Sequence, residues 1–148
     1  MLKPGDKAPD FKGIDQDGNV IKLEDFKGSK LVLYFYPKDN TPGCTAEACD
    51  LRDNYSRFLS LGYKIAGVSK DPERSHKSFA KKYSLPFPLI SDTELVILKA
   101  YESWGRKKFM GKEFDGILRK TFIIDENGYI LDIIDKVDTK AHSSQILK

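Results

Sequence analysis

The stretch "YPKDNTPGCTAEAC", residues 36–49, holds both cysteines of the chain, Cys44 and Cys49. It follows "KLVLYFY" (30–36), an apolar and aromatic run of strand length with no polar alternation. Such a run is expected in the middle of a sheet, covered on both faces. Pro37 ends it, because proline brings no N–H to a ladder. Thr41 then suits the N-cap of a helix and Pro42 its first position, which places Cys44 in the first turn. Backbone N–H groups there lack helical partners and point toward the sulfur. A free thiol ionises at about pH 8.5 and reacts as the thiolate, which a helix start favours. Gly43 leaves room for something small to approach the backbone.

Cys49 lies five residues further along the same helix. Five residues rise about 7.5 Å and turn about 140° beyond a full revolution, so the two Cα atoms stand roughly 8 to 9 Å apart. A disulfide spans about 4.4 to 6.8 Å between Cα atoms. The pair cannot bridge while the helix is intact, and a disulfide requires the first turns to unwind.

Composition narrows the setting. The chain has 148 residues, 40% hydrophobic and 32% charged, which suits one folded domain spanning residues 1–148 rather than a disordered chain. Its net charge is +3 with acids and bases interspersed, so no basic stripe points to nucleic acid. No apolar run reaches membrane-spanning length. The opening "MLKPGDKAPDF" lacks signal-peptide and transit-peptide character, so the cytoplasm is the expected compartment. In a reducing compartment two cysteines point to catalysis, redox sensing or metal binding rather than a permanent staple.

Outward from the cysteines, "FKGIDQDGNVIKL" (11–23) predicts two short strands around a turn at Asp17-Gly18-Asn19. "LEDFKGSK" predicts a charged turn or short helix. One helix is expected over residues 42–60, closed by Gly62, followed by a buried strand "YKIAGVS" (63–69). Asp71 as N-cap and Pro72 at the first position predict the next helix. "FPLISD" is a short strand, and "TELVILKAYE" a helix capped by Asp92 or Thr93. "WGRKKFMGKEFDGILR" predicts a loop or irregular strand. "KTFIIDENGYILDIIDK" predicts a hairpin turning at Asp125-Glu126-Asn127-Gly128, and "DTKAHSSQILK" a last helix. Strands alternating with helices imply an α/β fold, with chemistry at the C-terminal ends of the strands.

Pro37, Thr41 and Cys44 spell P-x-x-x-T-x-x-C, which resembles the active-site signature of the peroxiredoxins. With Cys49 five residues on, the string is similar to their bacterioferritin-comigratory-protein or Q-type branch. The resemblance extends through "LKPGDKAPDF", "GVSKDPERSHKSFAKKYSLPFPLISD" and "GILRKTFIIDENGYI". It implies a thioredoxin-like fold: a central mixed β-sheet with helices on both faces and an N-terminal hairpin. It further implies that Cys44 is peroxidatic and Cys49 resolving, that they pair as a disulfide, and that thioredoxin or a similar dithiol restores both thiols. The substrates would be hydrogen peroxide and organic hydroperoxides. Thr41 and Arg119 would meet the peroxide, backbone N–H groups of Gly43 and Cys44 would hold its oxygens, and Pro37 would shield the thiolate. The resemblance calls for no metal, haem or flavin and is consistent with a monomer.

Plainer readings accompany these. Thr41 serves as an N-cap in either case, and Pro37 as a strand stop. Glu47 is an acid near a positive helix start. His76 and His142, the only histidines, are expected to be solvated on charged helices. A zinc site from Cys44, Cys49, His76 and His142 does not match common zinc spacings. Trp104, Phe109 and Phe114 are expected to pack their loop or line the peroxide entrance. Two rival functions use the same cysteines: a thiol–disulfide oxidoreductase, whose usual C-x-x-C spacing is missing, and a redox switch read by a partner.

Overall fold

The computed structural model describes residues 1–148. The apolar run forms strand β3 (Lys30–Phe35) and divides its side chains between two cores. Leu31, Leu33 and Phe35 face one cluster with Ala66, Val68, Tyr101 and Phe122. Val32, Tyr34 and Tyr36 face the other, with Cys44, Ala48, Leu51, Phe58 and Phe79. The missing alternation in the sequence is thus two apolar faces superimposed.

Around β3 the chain builds a mixed seven-stranded sheet in the order β2-β1-β5-β4-β3-β8-β9. Its members are β1 (Lys12–Ile14), β2 (Val20–Lys22), β4 (Tyr63–Ser69), β5 (Leu89–Ser91), β8 (Lys120–Ile124) and β9 (Ile130–Ile134). β3, β4 and β5 run parallel, while β1 and β8 are antiparallel to their neighbours. The β1–β2 hairpin turns where Asp15 Oδ1 accepts the N–H groups of Asp17 and Asn19, both at 2.9 Å. Helices cover both faces: α1 (Pro42–Asp53), α2 (Tyr55–Ser60), α3 (Glu73–Tyr83) and α5 (His142–Ile146) contribute to the Tyr34 side, and α4 (Val96–Ala100) to the other. This is the expected α/β architecture with its N-terminal hairpin.

Four local expectations are corrected. Residues 42–60 form two helices, because Asn54 leaves the helical conformation (φ −105°, ψ 10°), and its Nδ2 donates to the Asp50 carbonyl at 2.9 Å. Pro72, not Asp71, is the N-cap of α3; Asp71 Oδ2 instead accepts from the Asp39 backbone N–H at 2.7 Å. Helix α4 is short because Leu95 adopts a left-handed conformation (φ 63°) before it, while Asp92 Oδ2 accepts from Leu98 N at 2.7 Å. Residues 104–117 are a regular hairpin, β6 (Trp104–Phe109) and β7 (Lys112–Ile117). Its turn sets Met110 and Gly111 at positive φ (54° and 79°), as a two-residue hairpin turn requires. Phe109 and Phe114 are exposed rather than packed, whereas Trp104 packs against the Leu31 core beneath Lys70.

Gly67 on β4 is required by close packing. A Cβ there would lie 2.8 Å from Tyr34 Cζ, 2.9 Å from Tyr34 Oη and 3.0 Å from Leu89 Cδ2. Gly67→Ala is expected to lower stability by about 2 kcal/mol, the usual penalty for overpacking a filled core. Urea denaturation checks this; an unchanged midpoint would contradict the packing argument.

Candidate active site

The loop leaving β3 is tied down before the helix begins. Tyr36 Oη donates to Asp39 Oδ1 at 2.6 Å. Asp39 Oδ2 meets His76 Nδ1 at 2.6 Å and accepts from Ser75 Oγ at 2.8 Å. His76 Nε2 faces the Ile90 carbonyl at 3.1 Å. His76 is therefore a fully buried core residue, contrary to the solvated reading. Its surroundings on an amphipathic helix start hid this, because the partners come from β5 and the loop between β3 and α1. Asp39, Asp71 and His76 bring ligand-type atoms within 4.8 Å of one another. Those atoms already hold the hydrogen bonds that fix the loop.

Thr41 occupies the N-cap with extended backbone (φ −96°, ψ 157°), and its carbonyl accepts from Thr45 N at 2.8 Å. Its hydroxyl does not cap the helix. It donates to the Lys38 carbonyl at 2.8 Å, so no side chain takes up the first-turn N–H groups. Cys44 lies in that turn, 1% exposed and packed into the Tyr34 core. Arg119, in the link between β7 and β8, donates through Nη2 to Cys44 Sγ at 3.2 Å. A Cβ on Gly43 would lie 3.4 Å from the same Nη2, so the guanidinium stands against the backbone of this residue. Pro37 stands half-buried at the strand exit. Cys49 is a half-buried free thiol on the intact helix α1. Gly43, Cys44 and Arg119 thus converge beside Thr41, the N-cap of α1, and Cys49 lies five residues further along that helix.

Glu47 belongs to this site more deeply than its place near a helix start suggested. It is fully buried, and its Oε1 accepts from Arg119 Nη1 at 2.6 Å. Its spacing of three residues from Cys44 puts both on one helix face, a signal present in the sequence. Burial pushes the Glu47 carboxyl from the ordinary 4.5 up to about 7, against the pull of Arg119 and with help from Asp50. Arg119 is held above its ordinary value: burial acts against its charge, and Cys44 and Glu47 outweigh it. Tyr34 Oη is buried without a partner, and burial, then Glu47, raise its ionisation well above normal. His142, also expected to be solvated, is fully buried from α5 and faces Thr121 and Glu47. The hairpin reaches the same neighbourhood. Lys107 Nζ donates to the Ile117 carbonyl at 2.8 Å, and burial followed by the charge of Arg119 lowers its proton affinity while Cys44 raises it.

An arginine forked between a buried sulfur and a buried carboxylate, at a helix start on this sheet, defines a thiol-dependent oxidoreductase. The AhpC/TSA family model matches residues 4–133. The chain is 46% identical to peroxiredoxin Bcp of Bacillus subtilis over 147 residues, covering 99% of this chain and 94% of that one. It is 43% identical to peroxiredoxin Bcp of Escherichia coli over 146 residues, covering 99% and 94%. Among solved structures, peroxidoxin BcpB of Mycobacterium tuberculosis superposes with a TM-score of 0.87 at 32% identity, covering 99% of this chain and 95% of that one. The bacterioferritin comigratory protein of Xanthomonas campestris gives a TM-score of 0.87 at 35% identity, covering 93% and 87%. The chain belongs to the AhpC/TSA family, as a peroxiredoxin of thioredoxin-like fold, and is a thiol peroxidase. No helix is long and apolar enough to cross a membrane.

The buried carboxyl carries a pH signature. Folded Glu47 keeps a proton up to about pH 7 that the unfolded chain releases near 4.5. Stability therefore falls as pH rises across that window, by about 3 kcal/mol in total, and is flat above it. Glu47→Gln, which cannot ionise, is expected to lose this slope. Urea midpoints measured across the window check it, and a variant with the wild-type slope would assign the titration elsewhere.

Proposed function

We propose that this chain, acting as one domain over residues 1–148 and as a monomer, reduces hydrogen peroxide and organic hydroperoxides through Cys44 and Cys49. The observation that carries the reading is the 3.2 Å hydrogen bond from Arg119 to Cys44 Sγ in an uncapped first helical turn. The Xanthomonas campestris neighbour has alkyl peroxide reduction activity, which supports the same substrate class here. A chain with only two cysteines suits a reducing compartment better than a disulfide-stapled fold, and we assign the protein to the cytoplasm.

The Cys44 thiolate attacks the terminal peroxide oxygen. The S–O bond forms as the O–O bond breaks; the transferred oxygen keeps its hydrogen, and the departing hydroxide or alkoxide takes a proton from solvent. The charge that moves from sulfur to the leaving oxygen is stabilised by pre-aimed donors, Arg119 and the Gly43 and Cys44 N–H groups, while the Thr41 hydroxyl, which donates to the Lys38 carbonyl, offers its oxygen as acceptor to the peroxide proton. Arginine suits this place because its charge is permanent and its fork serves two acceptors at once. Pro37 shields the thiolate from water.

Cys49 then attacks the Cys44 sulfenic sulfur, and water leaves as the disulfide forms. Helix α1 unwinds across residues 41–50 to bring the two sulfurs together. Thioredoxin or a similar dithiol reduces the disulfide by exchange and is itself oxidised.

Cys44→Ser is expected to abolish peroxide turnover with a dithiol reductant; retained turnover would refute the assignment. After one equivalent of peroxide, intact mass should show wild type losing two hydrogens and Cys49→Ser gaining one oxygen. Arg119→Ala should slow the first oxidation by about a hundredfold or more, the scale of losing a transition-state donor. Rapid mixing with hydrogen peroxide measures this step directly.

A further inference from the structure

The short helix α5 carries the buried His142, and its neighbours fix where its protons sit. Gln145 Nε2 donates to the Lys136 carbonyl at 2.9 Å, and Gln145 Oε1 accepts from the Asp138 backbone N–H at 2.9 Å. Both bonds orient the amide so that Oε1 faces His142 Nδ1 at 2.7 Å. An oxygen acceptor at that distance requires the proton on Nδ1. A neutral His142 then presents a lone pair at Nε2, to which Thr121 Oγ1 donates at 2.8 Å. The same Nε2 lies 3.6 Å from Glu47 Oε2, beyond hydrogen-bond length. Glu47 Oε2 is buried and has no hydrogen-bond partner.

An unprotonated ring nitrogen therefore stands 3.6 Å from a buried carboxyl oxygen, and one proton on either group relieves the repulsion. Where that proton sits governs the arginine. An ionised Glu47 draws the guanidinium toward itself, and a neutral one leaves more of its charge to the sulfur.

We propose that His142 is a positioning residue of the peroxidase site: acting through the unpartnered oxygen of Glu47, it sets how Arg119 is shared with the Cys44 sulfur. Burial, which raises Glu47 to about 7 and lowers His142, makes the carboxyl rather than the imidazole the favoured seat of that proton. The other charged or titratable groups facing the pair are Cys44 and Asp50 on α1, Arg119 ahead of β8, Tyr34 on β3 and Asp138 ahead of α5. The inference rests on the peroxidase reading of Cys44.

Two measurements test it. In the first, the rate constant for oxidation of the reduced protein by hydrogen peroxide is followed from about pH 5.5 to 8.5 in wild type and His142→Asn. The wild-type profile should show an inflection near neutrality. The variant should shift its midpoint and react about tenfold more slowly at pH 7, the scale of a misaligned donor. A variant with the wild-type profile and rate overturns the proposal. In the second, the imidazole of His142 is titrated by NMR in the reduced wild type and in Cys44→Ser. Removing the sulfur should move its midpoint, because Arg119 is then left to Glu47; superimposable curves overturn the proposal even where His142→Asn fails to fold. A wild-type protein that does not react with peroxide would refute the peroxidase reading alone, and the NMR comparison would still decide the coupling.

Discussion

A permanently charged guanidinium pressed against the protein interior organises this molecule. Arg119 is 23% exposed, and it reaches two groups that are essentially inaccessible, the Cys44 sulfur and the Glu47 carboxyl. A buried anion without a partner is costly, so neither group can keep a charge there unless the guanidinium is in place. The geometry follows from the sheet register. Phe35 pairs with Lys120 across β3 and β8, which sets the residue before Lys120 beside the exit of β3. That exit is where α1 begins and where Cys44 is presented.

The same constraint explains why so many polar groups gather on one face of the sheet. Glu47 balances Arg119 but is itself desolvated, and burial prevails over the ion pair in setting its proton affinity. His142, Thr121 and Gln145 continue the polar chain from that carboxyl to the C-terminal segment. A second network of Tyr36, Asp39, Ser75 and His76 fixes the loop that leads into α1. Two buried histidines thus brace the site, one through the loop ahead of the helix and one through the helix itself.

Helix α1 meets two opposed demands. Its intact first turn directs free N–H groups at Cys44, yet the same intact helix keeps Cys49 too far away to bridge. The C-terminal segment anchors the region, since Ser143 N donates to Asp50 Oδ2 at 2.7 Å, one residue past Cys49. The Asn54 break closes the helix just beyond, so the element that has to reorganise is short and bounded.

Much of this was legible in the amino-acid order. A strand without alternation, a Thr-Pro helix start and a cysteine in the first turn are local patterns, and local backbone physics was enough to read them. The turns at Asp17–Asn19 and Asp125–Gly128 were legible for the same reason. The hairpin over residues 104–117 was harder, because its strands are mostly exposed and bury no stripe that betrays a period. His76 and His142 were misread because their partners lie 37 and 21 residues away in sequence, in Asp39 and Thr121. The direction of the Thr41 hydroxyl also escaped the sequence, since cap and loop carbonyl compete for it at similar range. By itself the sequence determined where the thiol sits and why a helix start surrounds it. Only the tertiary structure decided which charges reach that thiol, because burial and pairing are properties of segments brought together from across the chain.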